Sequence, residues 1–73
     1  MSNLGERLKK LRIEKQITQK QMASQFNITE RAYQRYEAYT STPHYNTLIS
    51  LAEYFNVSLD YLVGRTDNPD INK

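Results

Sequence analysis

The eight residues from Glu30 to Glu37, ERAYQRYE, carry an unusual number of long side chains with planar hydrogen-bonding ends. On an α-helix, four of them fall within an arc of about 140°. This polar quartet consists of Glu30, Arg31, Gln34 and Arg35. Such groups pair with base edges in the DNA major groove: Arg with guanine, Gln with adenine, and Glu with the cytosine amino group. The alternative interpretation is an ordinary solvated helix face.

The other side of the same helix is apolar and aromatic. Ala32, Tyr33 and Tyr36 lie opposite the polar quartet, so we expect them to face a hydrophobic core. A helix with this pattern needs neighbouring elements that bury its aromatic side and leave its polar side free.

Hydrophobic spacing supplies those neighbours and predicts helices throughout the chain. Leu4, Leu8 and Leu11 recur at i, i+4 and i+7, which indicates a first helix over about 3–15. The stripe from Leu48 to Phe55 has the same period and indicates a fourth helix. No alternating strand pattern occurs, so the sequence predicts an all-α, compact five-helix bundle.

Capping residues mark where the other helices begin. Thr18 and Gln21 have the spacing of a capping box, which opens a second helix, and Thr29 opens the third. Asn27 between them suits the left-handed conformation that ends a helix. Ser58 caps a short fifth helix. The second and third helices, joined by a tight turn, form a predicted helix-turn-helix.

Size and composition limit the classes of function. A chain of 73 residues without cysteine forms one small domain with neither disulfides nor a Cys-ligated zinc site. No run approaches the roughly 20 apolar residues of a membrane span, so we expect a cytoplasmic protein without membrane contact. The single histidine, His44, has no partners at metal-ligand or catalytic spacing. We therefore predict no enzyme activity, metal or cofactor.

Charge is unevenly distributed along the chain. Residues 1–37 hold eight Lys/Arg against four Asp/Glu, while residues 38–73 hold two against four. A basic half favours an anionic partner such as nucleic acid, although ordinary surface charge explains it equally well.

Two segments, ITQKQMASQFNITERAYQRYEA and PHYNTLISLAEYFNVSLDYLVG, resemble the lambda-repressor-like, Cro-like helix-turn-helix DNA-binding domain of the xenobiotic-response-element (XRE) family. The resemblance covers Leu4 to Gly64. It implies a DNA-binding domain over residues 1–64, followed by a polar tail or linker start over 65–73.

The same resemblance assigns roles to individual residues. The third helix becomes the recognition helix, and the polar quartet takes the base-contacting positions. Arg12 and Glu37 take the positions of an ion pair between the first and third helices. The positions that contact the DNA backbone fall on Thr18, Gln19, Lys20, Thr29, Tyr39, Thr40 and Thr42.

Some positions depart from the family pattern. Gln16 and Tyr39 stand where members often have glycine, and the loop from Thr40 to Thr42 is neutral where members are usually basic. Each phosphate contact contributes about 0.9 to the salt slope of binding. A neutral loop therefore predicts a shallower salt dependence.

The later helices carry apolar side chains that do not all fit one core stripe. For these residues we expect a dimer surface, with packing inside the monomer as the alternative. They are Ile49, Tyr54, Tyr61 and Leu62.

The resemblance implies a sequence-specific regulator of transcription that binds double-stranded DNA. Within that class we expect a repressor that binds a palindromic operator as a homodimer. The alternative is an antitoxin, or the DNA-binding module of a longer regulator, that binds a protein partner.

Overall fold

The computed structural model describes residues 4–38 and 40–70. Within these residues the chain forms five α-helices and no β-strand. The helices are α1 (Leu4–Glu14), α2 (Gln19–Gln25), α3 (Glu30–Glu37), α4 (Tyr45–Phe55) and α5 (Leu59–Leu62). The predicted all-α architecture is confirmed. Tyr39, expected to contact the DNA backbone, lies outside the described residues.

Side-chain caps fix the beginnings of α2 and α3. The Thr18 Oγ1 atom accepts a hydrogen bond from the Gln21 amide at 3.0 Å, and Gln21 Oε1 accepts from the Thr18 amide at 2.8 Å. Thr29 Oγ1 accepts from the Ala32 amide at 3.1 Å. These bonds satisfy amides that have no partner inside the helix. The predicted capping box and the predicted Thr29 cap are both confirmed.

Left-handed residues turn the chain after α1, α2 and α4. Asn27 has φ 58°, as expected for the residue that separates α2 from α3. Gln16 also has φ 58°, and Asn56 has φ 56°. A left-handed conformation costs roughly 1–2 kcal/mol in a residue with a Cβ atom. The left-handed conformation of Gln16 therefore carries a conformational cost that a glycine at this position would not have.

Every helix contributes a fully buried side chain to one core. The five largest of these residues have at most 1% of their surface exposed. They are Leu8, Met22, Tyr33, Leu51 and Leu62, one from each helix in chain order. Because the core joins all five helices, α3 cannot turn about its axis without disturbing the rest of the bundle.

Two residues expected on a dimer surface belong to this core. Tyr61 is 5% exposed and Leu62 is 0% exposed, so neither offers the surface that a partner would contact. For these two the dimer-surface prediction is wrong, and packing inside the monomer is correct. Ile49 and Tyr54 are half-buried. The ring of Tyr54 packs edge-to-face on Phe26 at a centroid distance of 5.5 Å.

An ion pair joins the last residue of α3 to α1. The Arg12 guanidinium donates to both carboxylate oxygens of Glu37, with Nε–Oε2 at 2.7 Å and NH2–Oε1 at 3.2 Å. Arg12 also donates to the Ile17 carbonyl oxygen at 2.9 Å. The Arg12 and Glu37 side chains are only 13% and 5% exposed. The predicted ion pair is therefore present, and it is shielded from water.

Residues after α5 fold back onto the helices. The Ser58 amide donates to the Pro69 carbonyl oxygen at 2.9 Å, and Arg7 forms an ion pair with Asp67 at 2.8 Å. The domain boundary after Gly64 stays a prediction. Among the described helices, none has the length and hydrophobicity needed to cross a membrane.

The shielded ion pair predicts a stability difference. Glu37→Gln keeps the size of the side chain but leaves the Arg12 charge without its counter-ion. Removing one partner of a buried pair costs more than an exposed pair contributes, and we expect a loss of about 2 kcal/mol in the free energy of unfolding. Urea denaturation at pH 7 measures this loss.

A matched control is available in the exposed pair of Arg65 and Asp60, whose side chains are 78% and 61% exposed. Asp60→Asn should change the free energy of unfolding by less than about 0.5 kcal/mol. An equal effect of the two substitutions would contradict a stabilising role for the shielded pair.

The same pair predicts a dependence of stability on pH. Burial by itself would raise the pKa of Glu37, but the hydrogen bonds from Arg12 and Gln19, together with the nearby Tyr33 hydroxyl, outweigh it and leave the pKa below its ordinary value of 4.5. The unfolded chain therefore binds a proton first as the pH falls. The contribution of Glu37 is complete above about pH 4.5 and is lost as the pH falls through the folded-state pKa.

Urea denaturation of the wild type and Glu37→Gln between about pH 7 and pH 3 measures this dependence. We expect the stability gap between the two proteins to narrow below about pH 4.5. A gap that stays constant over the whole range would exclude Glu37 as its source.

Candidate nucleic-acid interface

The polar and apolar sides of α3 are separated in the structure as the sequence predicts. All four residues of the polar quartet are exposed. On the opposite side, Tyr33 is 0% exposed and Ala32 and Tyr36 are half-buried. The rings of Tyr33 and Tyr36 meet edge-to-face, with their centroids 6.3 Å apart. The helix therefore holds its hydrogen-bonding side chains away from the bundle.

Tyr33 anchors α3 at the centre of the bundle. Burial raises the pKa of the Tyr33 hydroxyl, and the neighbouring Glu37 carboxylate raises it further. The hydroxyl lies beside that carboxylate but outside hydrogen-bonding geometry. Tyr33 is thus a neutral side chain at any physiological pH, and its role in α3 is packing.

Gln19 connects the start of α2 to the end of α3. Its Nε2 atom donates to Glu37 Oε1 at 3.2 Å, so Glu37 accepts from both Arg12 and Gln19. The Gln19 side-chain amide has a second N–H that can donate and a carbonyl oxygen that can accept. Through this contact Gln19 braces α3 against α2, while its predicted contact with phosphate stays a prediction.

Within the polar quartet, two side chains are paired. Gln34 Nε2 lies 3.5 Å from Glu30 Oε2, across one turn of the helix. An interaction at this spacing adds a few tenths of a kcal/mol to a helix and restricts both side chains. Arg31 and Arg35 are exposed on the same side and supply its positive charge.

Four threonines cap or follow the helices of the helix-turn-helix: Thr18 caps α2, Thr29 caps α3, and Thr40 and Thr42 follow α3. Thr18, Thr29, Thr40 and Thr42 are all exposed. The caps at Thr18 and Thr29 use the hydroxyl oxygen as an acceptor, which leaves the O–H free to donate to a phosphate. Thr40 donates instead to the Arg35 carbonyl oxygen at 3.4 Å, which stabilises the end of α3. The contacts of all four with DNA stay predictions.

A groove of about 480 Å³ runs beside the start of α2 and α3. Its lining includes Lys20, which is exposed, and Glu30 of the polar quartet. Ile13, which is 55% exposed, also lines it and was not expected there from the sequence. The signal was available, because Ile13 falls about 180° from Leu4 on the wheel of α1. The groove thus combines a cation, an acid and an exposed aliphatic side chain.

Within the described part of the chain, no group of three or more His, Cys, Asp or Glu side chains is placed to hold a metal ion. The exposed side chains of Lys20, Arg31, Gln34 and Arg35 supply cations and hydrogen-bond donors around α3, and this chemistry suits a polyanion that carries base edges.

Comparison with known proteins agrees with this geometry. Residues 5–67 match the family model described as "Helix-turn-helix domain". Three relatives from Bacillus subtilis (strain 168) are similar to the chain. The uncharacterized HTH-type transcriptional regulator YqaE is 42% identical over 67 residues, which cover 92% of this chain and 58% of that protein.

The HTH-type transcriptional regulator ImmR is 38% identical over 65 residues, covering 89% of this chain and 51% of ImmR. The SPbeta prophage-derived uncharacterized HTH-type transcriptional regulator YonR is 40% identical over 62 residues, covering 85% and 57%. The chain thus spans little more than half the length of these relatives. With a family match from residue 5 to 67 and a confirmed α2–turn–α3 geometry, this chain belongs to the XRE-type helix-turn-helix domain family.

Proposed function

We propose that this domain binds double-stranded DNA in a sequence-specific manner and regulates transcription, with α3 as the recognition helix in the major groove. The observation that carries the proposal is the exposure of the whole polar quartet on a helix whose Tyr33 is 0% exposed. A helix fixed in this way presents its base-contacting groups without a conformational change. The names of the relatives, all HTH-type transcriptional regulators, support the same function.

Each member of the polar quartet has a base partner of matching chemistry. Arg31 and Arg35 suit guanine, which offers two acceptors to a guanidinium. Gln34 suits adenine, and the carboxylate of Glu30 suits the cytosine amino group. The carboxylate of Glu30 loses its hydrogen bonds to water on DNA that offers it no donor, and binding to such DNA is weakened. Glu30 therefore contributes to specificity more than to affinity.

Contacts with the sugar–phosphate backbone position α3 along the duplex. We assign these contacts to Thr18, Gln19 and Lys20 at the start of α2, and to Thr29, Thr40 and Thr42 near the ends of α3. Of these six side chains only Lys20 carries a charge. Neutral donors fix register without releasing counter-ions as a lysine does, so the salt dependence of binding is shallow.

The proposed working form is a homodimer on a palindromic operator. Two recognition helices about 34 Å apart would enter successive turns of the major groove on one side of the duplex. The half-buried Ile49, in a shallow groove with Leu59, and the half-buried Tyr54 supply the proposed dimer contacts. Binding of this kind in the cytoplasm represses transcription by excluding polymerase from the promoter.

Removal of one recognition side chain should change specificity. For Arg31→Ala we expect a loss of about 1–3 kcal/mol on the operator and a relaxed preference at one base pair. Fluorescence anisotropy with the operator and its single base-pair variants measures both effects. The operator itself comes from footprinting the promoter next to the gene.

Arg65→Ala is the matched control, since it removes the same charged group from the region after α5, where Arg65 is 78% exposed. It should leave the base preference intact. If Arg31→Ala weakened every sequence equally, Arg31 would contact phosphate and its place among the base-contacting residues would be wrong.

Removal of the charged backbone contact should act on all sequences alike. Lys20→Ala should weaken binding to operator and random DNA by the same factor, and lower the salt slope by about 0.9. Anisotropy titrations at several salt concentrations measure the slope. Lys9→Ala, which removes an exposed lysine of α1, is the control. An unchanged slope for Lys20→Ala would remove Lys20 from the contacts.

A further inference from the structure

A second polar pocket lies between α1, α5 and the segment that follows α5. It encloses about 450 Å³ and is lined by Glu6, Arg7, Lys10, Tyr61 and Asp67. It contains no member of the polar quartet and none of the residues assigned to the DNA backbone. Its chemistry is therefore independent of the proposed function.

The floor of this pocket is a buried cation. Arg7 is only 5% exposed, and its guanidinium lies over the ring of Tyr61, with the carbon atom 3.9 Å from the ring centroid. Tyr61 is itself 5% exposed, so the stacked pair cannot move freely. A guanidinium held by a ring on one face presents its N–H groups along its edge, which is the geometry that binds a carboxylate.

The present occupant of the pocket is a carboxylate from the same chain. Arg7 NH2 donates to Asp67 Oδ1 at 2.8 Å, while the Asp67 side chain is 99% exposed. Asp67 thus rests at the mouth of the pocket and uses one oxygen, whereas the guanidinium can bind two in parallel. Release of the solvated Asp67 would leave the buried Arg7 charge without a counter-ion, so the site favours a replacement carboxylate.

The net charge of the side chains around Arg7 favours a ligand with one negative charge. Without Asp67, the remaining lining has two cations, Arg7 and Lys10, and one acid, Glu6. One carboxylate neutralises this surplus. The segment that carries Asp67 is a stretch of polypeptide held at Pro69 by its bond with Ser58, so the structure already contains an example of the ligand.

We propose that this pocket is a binding site for an aspartate or glutamate side chain of a partner polypeptide, and that Asp67 occupies it as an internal competitor. A partner with an exposed acidic residue displaces Asp67 and docks on the α1–α5 side of the domain.

The test uses the full chain, as wild type and as Asp67→Asn, and a peptide probe with one carboxylate. The probe is the acetylated and amidated hexapeptide GRTDNP, the sequence of residues 64–69. The matched control peptide is GRTNNP, which lacks the carboxylate. Side-chain NMR of the Arg7 Nε–Hε group reports binding, because a purely structural role for Arg7 would not make this signal respond to the peptide.

For Asp67→Asn we expect GRTDNP to shift the Arg7 Nε–Hε signal with saturation at about millimolar concentration, and GRTNNP to leave it unchanged. The wild type should bind GRTDNP roughly threefold or more weakly, because a tethered competitor acts at a high effective concentration. An unmoved Arg7 signal, or equal responses to both peptides, would overturn the proposal.

A second variant keeps the result interpretable. Lys10 is exposed, so Lys10→Gln in the Asp67→Asn background should leave the fold intact. It should weaken the binding of GRTDNP, and an unchanged affinity would contradict the charge argument. Backbone amide spectra verify folding. The experiment contains no DNA, so its failure would not affect the proposed recognition by α3.

Discussion

The contact between Arg12 and Glu37 sets the position of α3. The guanidinium reaches both carboxylate oxygens of the last residue of α3, and it also binds the Ile17 carbonyl oxygen before α2. One side chain therefore ties together α1, the turn after it, and α3. Gln19 adds a bond from the first residue of α2 to the same carboxylate. The relative placement of α2 and α3 follows from this shared acceptor.

A chain of this size needs such a contact. Small domains bury a modest fraction of their surface, and their cores leave little stability to spare. Here the core residues fix Tyr33 inside the bundle, while the polar network fixes the end of α3. The two anchors act on different turns of one short helix. These two anchors fix the direction in which the polar quartet points, although its own members form only one weak contact with each other.

Local features were predictable from sequence because local physics decides them. The caps at Thr18 and Thr29 and the left-handed Asn27 follow from backbone hydrogen bonding within a few residues. The two sides of α3 follow from helical periodicity. The Arg12–Glu37 pair, 25 residues apart in sequence, was available only through resemblance to a family.

Tertiary packing decided what could not be predicted. Tyr61 and Leu62 lay on no clear stripe, and a four-residue helix is too short for periodicity to show which side is buried. Arg7 lies at the i+3 position of the stripe formed by Leu4, Leu8 and Leu11, which indicates burial, but its partners are more than fifty residues away and could not be predicted.

The outward-facing polar side of α3 can be tested directly by selecting bound duplexes from a random-sequence pool. The wild type and Gln34→Ala are compared in parallel. Two inverted half-sites with centres about 10 base pairs apart should be enriched by the wild type. The variant should lose the preference at one position of each half-site and retain the others. A pool without an enriched sequence, or the same sequence from both proteins, would contradict recognition of DNA by this face of α3.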